Sequence, residues 1–161
     1  MTTYLLGPTS AATIVSRSAT ALEAEVRYAP RSRPPPVHLF PTQSGHVEVL
    51  EGELSARLGR TTRTYRAGES FDVPAGTRHT MWNASPEPTR TTWRTAPPGR
   101  SAEWLASLDA AVRAGGGVAA VALVTREFRD VLRLAGVPGV VLPLLAVVGR
   151  LRARFGVDRG R

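Results

Sequence analysis

The chain has 161 residues, 42% of them hydrophobic, which is enough for one ordinary domain, or a small domain with an extension, around a real core. It has no cysteine, so disulfides and thiolate metal sites are excluded. The formal charge is +8 and every basic residue is arginine, but twelve Arg against eight acids in residues 1–100 and nine against five in 101–161 leave no dense basic stripe, so nucleic acid is not an expected partner.

The opening "MTTYLLGPTS" has no basic segment followed by a long apolar run, and a cytoplasmic location is expected. Residues 10–98 read as short strands separated by turns, in keeping with 15 Gly and 13 Pro in the whole chain. "ALEAEVRYAP" alternates, with Leu22, Ala24, Val26 and Tyr28 on one face and Glu23, Glu25 and Arg27 on the other. "RSRPPP" (31–36) cannot sit in a central strand because its prolines lack donors, so it is a loop leading to the strand of His38. "HVEVLEGELSARL" predicts a hairpin turning at Glu51-Gly52, and "TTRTYRAGESFDVPAGTRHTMWN" predicts further strands broken at "AGE" and "PAG". The pattern is that of an all-β sandwich or barrel.

The character changes at "TAPPGRSAEW". Ser101 is the expected N-cap of a helix with Glu103 in its first turn and Trp104, Leu105, Leu108 and Val112 on one face. After "GGG" (115–117), Val121, Val124, Phe128, Val131 and Ala135 recur at helical spacing, Arg126 and Asp130 are placed to pair at i,i+4, and Gly136 is the expected stop. A third helix is expected within 138–155, with Leu145, Val148, Leu151 and Phe155 on a stripe. The expected organisation is a β-barrel domain over 1–98 and a helical extension over 99–161, packed on the barrel or on a dimer partner. The apolar run 134–149 is shorter than the roughly 20 residues of a membrane span and is interrupted by Pro138 and Pro143. Membrane-surface contact through "GRLRARFG" is the lesser alternative to packing.

Residues 68–83 have the form G-x5-P-x-G-x2-H-x3-N, through Gly68, Pro74, Gly76, His79 and Asn83. This resembles the second signature motif of the cupin superfamily at every defined position. The first cupin motif, G-x5-H-x-H-x4-E-x6-G, is matched only at His38 and Gly52; Ser32, Phe40 and Gly45 occupy its other defined positions. The resemblance covers roughly residues 15–95. It implies a cupin-type jelly-roll barrel (a double-stranded β-helix), here followed by about three C-terminal α-helices, and commonly a homodimer.

In the family, two histidines and a glutamate of the first motif join the histidine of the second around one divalent metal. Carried over position by position, only His38 and His79 remain. Residues 38 and 40 share a strand face, so Phe40 puts a phenyl ring where an imidazole is expected, and Gly45 offers no donor. Two imidazoles make a poor site for a transition metal. Gln43 and His46 are weak substitutes; by strand alternation His46 faces the other way unless a bulge turns it. No cofactor is expected, with a divalent metal as the alternative.

Phe40, Val47, Phe71, Val73 and Met81 share inward parity and are the expected ligand-binding walls, or else plain core. Tyr28 and Tyr65 are candidate phenols at the mouth. Trp82 and Trp93 read as packing or rim residues, and Glu48, Glu51 and Glu53 as solvated. His38 and His79 are read either as hydrogen-bonded structural residues or as a candidate acid–base or ligand-binding pair. The reading reached is a small-molecule-binding cupin with a degenerate metal site. The alternatives are a cupin enzyme, either a metal-dependent oxygenase or isomerase with unusual ligands or a metal-free cyclase or epimerase using the two histidines, and a protein-interaction module acting through the helical tail.

Overall fold

The computed structural model describes residues 1–135. The chain runs through β1 (Thr3–Gly7), β2 (Ser10–Arg17), β3 (Leu22–Tyr28), β4 (His38–Leu39), β5 (Ser44–Glu51), β6 (Glu53–Leu58) and β7 (Thr61–Arg66). It continues with β8 (Ser70–Val73), β9 (His79–Trp82), β10 (Thr89–Ala96), α1 (Ser101–Arg113), α2 (Gly117–Glu127) and β11 (Arg133–Leu134). The strands form two antiparallel sheets, ordered β1-β2-β3-β10-β5-β8 and β11-β4-β9-β6-β7. This is the all-β jelly roll expected from the sequence, with helices after it.

Period-two alternation sets the inner faces. Leu22, Ala24, Val26 and Tyr28 of β3 are buried, as are Val47 and Val49 of β5 and Leu54 and Ala56 of β6. The outer faces carry charge in cross-strand rows. Glu23, Arg94, His46 and Asp72 stand side by side across β3, β10, β5 and β8, and Arg90 pairs with both Glu25 and Glu51. Arginines of the sheet surface are therefore engaged in solvated ion pairs. The hairpin turns at Gly52, with φ +75°. A Cβ there would lie 2.5 Å from the Pro88 carbonyl oxygen, so only glycine fits.

The loop before β4 wraps the outside of the second sheet. The Thr80 hydroxyl donates to the Pro35 carbonyl at 2.8 Å, and the Asn83 N–H donates to the Ser32 hydroxyl at 2.8 Å. Asn83, the last residue of the second motif, also donates its side-chain amide to the Ala29 and Glu87 carbonyls, tying that loop to the approach to β10.

The extension shares the barrel's core. Trp104, Leu105, Leu108, Phe128, Val131 and Leu132 are buried in the same apolar cluster as Phe40 and Val47. α1 also covers the edge strand β1: Asp109 accepts the Leu5 N–H at 2.7 Å, and Arg113 binds Asp109 at 2.9 Å.

Three local expectations are corrected. Ser101 is the first residue of α1 and not its cap. Arg100 holds the cap position without a side-chain bond, and the Ser101 hydroxyl accepts from the buried Gln43 amide at 3.0 Å. The stripe Val121–Ala135 is not one helix: α2 ends at Glu127, the chain turns on Val131 and Leu132 N–H bonds to the Phe128 carbonyl, and Arg133–Leu134 pair with β4. Unpaired backbone groups at the sheet edge outweigh helical periodicity there. With the helix ended, Asp130 pairs with Arg100 (3.5 Å) in place of Arg126. The expected stop at Gly136 and the third helix at 138–155 lie outside the described residues.

Candidate functional site

The second sheet brings the two motif histidines together as a cross-strand pair, His38 on β4 opposite His79 on β9. Their ring centroids are 4.5 Å apart at 64°, edge to face. The Phe40 ring completes a three-ring cluster, 5.8 Å from His38 and 5.1 Å from His79. His79 is buried, with 1% of its surface exposed, and His38 is half-buried.

Each imidazole is held by a backbone carbonyl two residues upstream. His38 Nδ1 lies 2.9 Å from the Pro36 oxygen and His79 Nδ1 2.8 Å from the Thr77 oxygen. A carbonyl only accepts, so both rings carry the proton on Nδ1 and present a bare Nε2. Nε2 of His79 is buried and has no hydrogen-bond partner. Burial, aided by the neighbouring His79, pushes His38 down to about 4 from its ordinary 6.5. Burial also lowers His79, against the opposing effect of its bond to Thr77. At neutral pH the pair is two uncharged acceptors.

Neither substitute ligand reaches the pair. His46 faces outward, its Nδ1 2.7 Å from Asp72 Oδ1 on the exposed face. Gln43 is buried at the joint between barrel and α1, where its amide nitrogen donates to the Pro97 and Pro98 carbonyls and to Ser101. Among the described residues no three His, Asp or Glu side chains converge on a possible metal position. The donor set does not fit the divalent metal that the fold family implies.

Gly45 does face inward, between Val73 and Thr95 in register. A void of about 10 Å³ lies beside it, lined in part by Phe40, Val47, Val73 and Met81. A second void, of about 20 Å³, lies under α1 between Phe40, Trp93, Trp104 and Leu105. Each holds about one water molecule. Phe71 lines neither void; it stacks on Tyr65 at 4.2 Å, and Arg63 covers the Tyr65 ring at 4.6 Å. Glu48 is exposed, and Glu51 and Glu53 pair with Arg90 and Arg66.

Two residues stand nearer the interior than their sequence reading gave. Trp93 lies in register with Ala24 and Val47, lines both voids, and has a buried indole N–H. Tyr28 is buried, and burial holds its pKa above the ordinary value against an opposing interaction with the Trp93 side chain. The alternation of Thr91, Trp93 and Thr95 contains this signal for Trp93. Trp82 is half-buried on the opposite face of its strand from Met81.

The family model described as "Cupin domain" matches residues 24–94, the segment that holds both histidines and both sheets' central strands. The chain contains a cupin domain. Among similar solved structures is KdgF from Halomonas sp., with 18% identity, 60% of this chain and 88% of that chain covered, and TM-score 0.55. TT1209 from Thermus thermophilus matches at 26% identity over 58% of this chain and 89% of that one, with TM-score 0.53. An RmlC-like cupin from Shewanella frigidimarina matches at 17% identity over 62% and 86%, with TM-score 0.55. No curated protein matches the chain. Likeness at this level concerns the fold; what this cupin does has to be argued from its own site. Among the described residues no helix is long and apolar enough to cross a membrane.

Proposed function

We propose that this cupin binds a small, uncharged, mostly apolar molecule inside a metal-free barrel, with His38 and His79 at the polar end. The observation that carries the reading is the bare Nε2 of His79, buried and without a donor. An orphaned buried acceptor costs about 1–3 kcal/mol, which a ligand hydroxyl or N–H would recover. Phe40, Val47, Val73 and Met81 supply an apolar surround, so affinity comes from burial and orientation from the histidines. A charged acid is disfavoured, because both imidazoles are neutral near pH 7. The same neutrality weakens the acid–base enzyme reading, since the pair offers two bases and no acid.

The test is a ligand-observed NMR screen of neutral and acidic aromatic fragments against the wild type and His79→Phe. Neutral hydrogen-bond donors are expected as hits, lost in the variant. Hits confined to acids, or hits unchanged by the variant, would sink the proposal. As a companion, Phe40→His with Gly45→Glu is expected to create metal affinity measurable by calorimetry. A Cβ at position 45 would lie 3.6 Å from the Val73 Cβ, which is ordinary contact.

A second reading, a protein-interaction module, is favoured by one observation: the two voids described above are about 10 and 20 Å³, and neither is lined by His38 or His79. Under it the screen yields no binder inside the barrel.

A further inference from the structure

β4 has two residues and one ladder partner on the barrel side, His79 opposite His38. On its other side Leu134 stands opposite His38 and Arg133 opposite Leu39, and the Ala135 N–H donates to the Val37 carbonyl at 2.7 Å. The residues just before it, Pro34 to Pro36, have no N–H with which to pair. The strand that carries half of the candidate site is therefore held at least as much by distant downstream chain as by the barrel.

That downstream chain also covers the interior. It leaves the end of β10, follows the β1 edge of one sheet as α1, and finishes as β11 on the edge of the other. Trp104 and Leu105 close the larger void over Phe40 and Trp93. Its second half is held by the burial of Val124, Phe128, Val131 and Leu132, and its backbone has points at which it can part from the rest. Gly115 lies between α1 and α2 and Gly117 opens α2, both at positive φ, and α2 starts without a side-chain cap. Arg100 holds the far end of α2 from a half-exposed position, 4.3 Å over the Phe128 ring and 3.5 Å from Asp130.

We infer that residues 117–135 form a releasable strap, which fixes His38 against His79 and must lift to expose the His79 ring to a ligand. What enters rests on the small-molecule reading above; the lifting does not. Freeing β11 removes the pairing on the outer side of β4 and leaves His38 held by its one ladder partner, His79.

The test uses diethyl pyrocarbonate, which acylates bare imidazole nitrogen, with exposed His46 as the internal standard. Ala135→Pro removes the N–H that binds Val37. Acylation of His79 relative to His46 is expected to rise roughly tenfold or more in the full-length variant. Amide exchange at His38 and Leu39 is expected to rise with it, while Val47 and Trp93 hold. An unchanged ratio, or acceleration of all amides alike, overturns the strap. Should the variant not fold, native-state exchange of the wild type in low urea decides. Amides of His38, Leu39, Arg133 and Leu134 should share one opening below global unfolding, and exchange only by global unfolding overturns the inference. Both measurements are made without ligand. An opening strap with no interior binder therefore defeats the reading above and leaves the strap standing.

Discussion

His38 and His79 each commit Nδ1 to a carbonyl two residues upstream, and this fixes their response to pH. Both are depressed in the folded state, His38 to about 4 from an ordinary 6.5. As pH falls below 6.5 the unfolded chain takes up protons that the folded chain refuses, so stability is lost on acidification and the loss levels off below the folded value. Glu25, Glu69 and Glu103 lie below their ordinary 4.5, so their contributions remain in force until pH falls past that value. The window between 6.5 and 4.5 therefore belongs to the histidines. Thermal melts across it should show a loss on the order of 2–3 kcal/mol, most of it removed by His38→Phe. A flat profile, or one unaltered by the substitution, would mean that the pair is solvated. The pairing itself was legible in the sequence, because strand parity and the second motif place both rings inward. The outward direction of His46 was legible for the same reason. The role of Gln43 was not, because it lies in a turn where no periodicity applies.

At the scale of elements, Gln43 links the barrel to α1. Its amide nitrogen lies 2.7–3.0 Å from the Pro97 and Pro98 carbonyls and the Ser101 hydroxyl, and the side chain is 2% exposed. Gln43→Met keeps the bulk and removes the donors, leaving acceptors unpaired at the joint. Urea denaturation is expected to show a loss of about 2–3 kcal/mol. A loss under about 0.5 kcal/mol would show that water replaces the amide at no cost. The same joint engages the Ser101 hydroxyl, which stands inside the first turn of α1, one residue past the cap position. β11 was hidden because Val124, Phe128 and Val131 keep helical spacing across a turn. The three are buried against barrel and helix alike, and spacing does not say on what.

For the whole molecule, the shared cluster means that barrel and extension have one core. Phe128 is 2% exposed within it, so Phe128→Ala is expected to cost about 3–5 kcal/mol. The expected outcome is a single lowered transition, with tryptophan fluorescence and far-ultraviolet dichroism coincident. Two separated transitions would show that the extension folds as an independent unit. A homodimer remains a proposal, which sedimentation tests. The expected apolar stripe at Leu145–Phe155 would be its first candidate surface.

Alternation, turn residues and two motifs determined the jelly roll, the inward histidines and the departure of Phe40 and Gly45 from a metal-binding set. These are local properties: a period of two fixes a side chain's face, and glycine at positive φ fixes a turn, whatever the rest of the chain does. The tertiary structure alone decided that both imidazoles are neutral, that Trp93 borders the voids, and that residues near 134 pair with His38. Burial, unpaired sheet edges and void volume depend on what distant segments bring into contact, and no window of sequence carries that information.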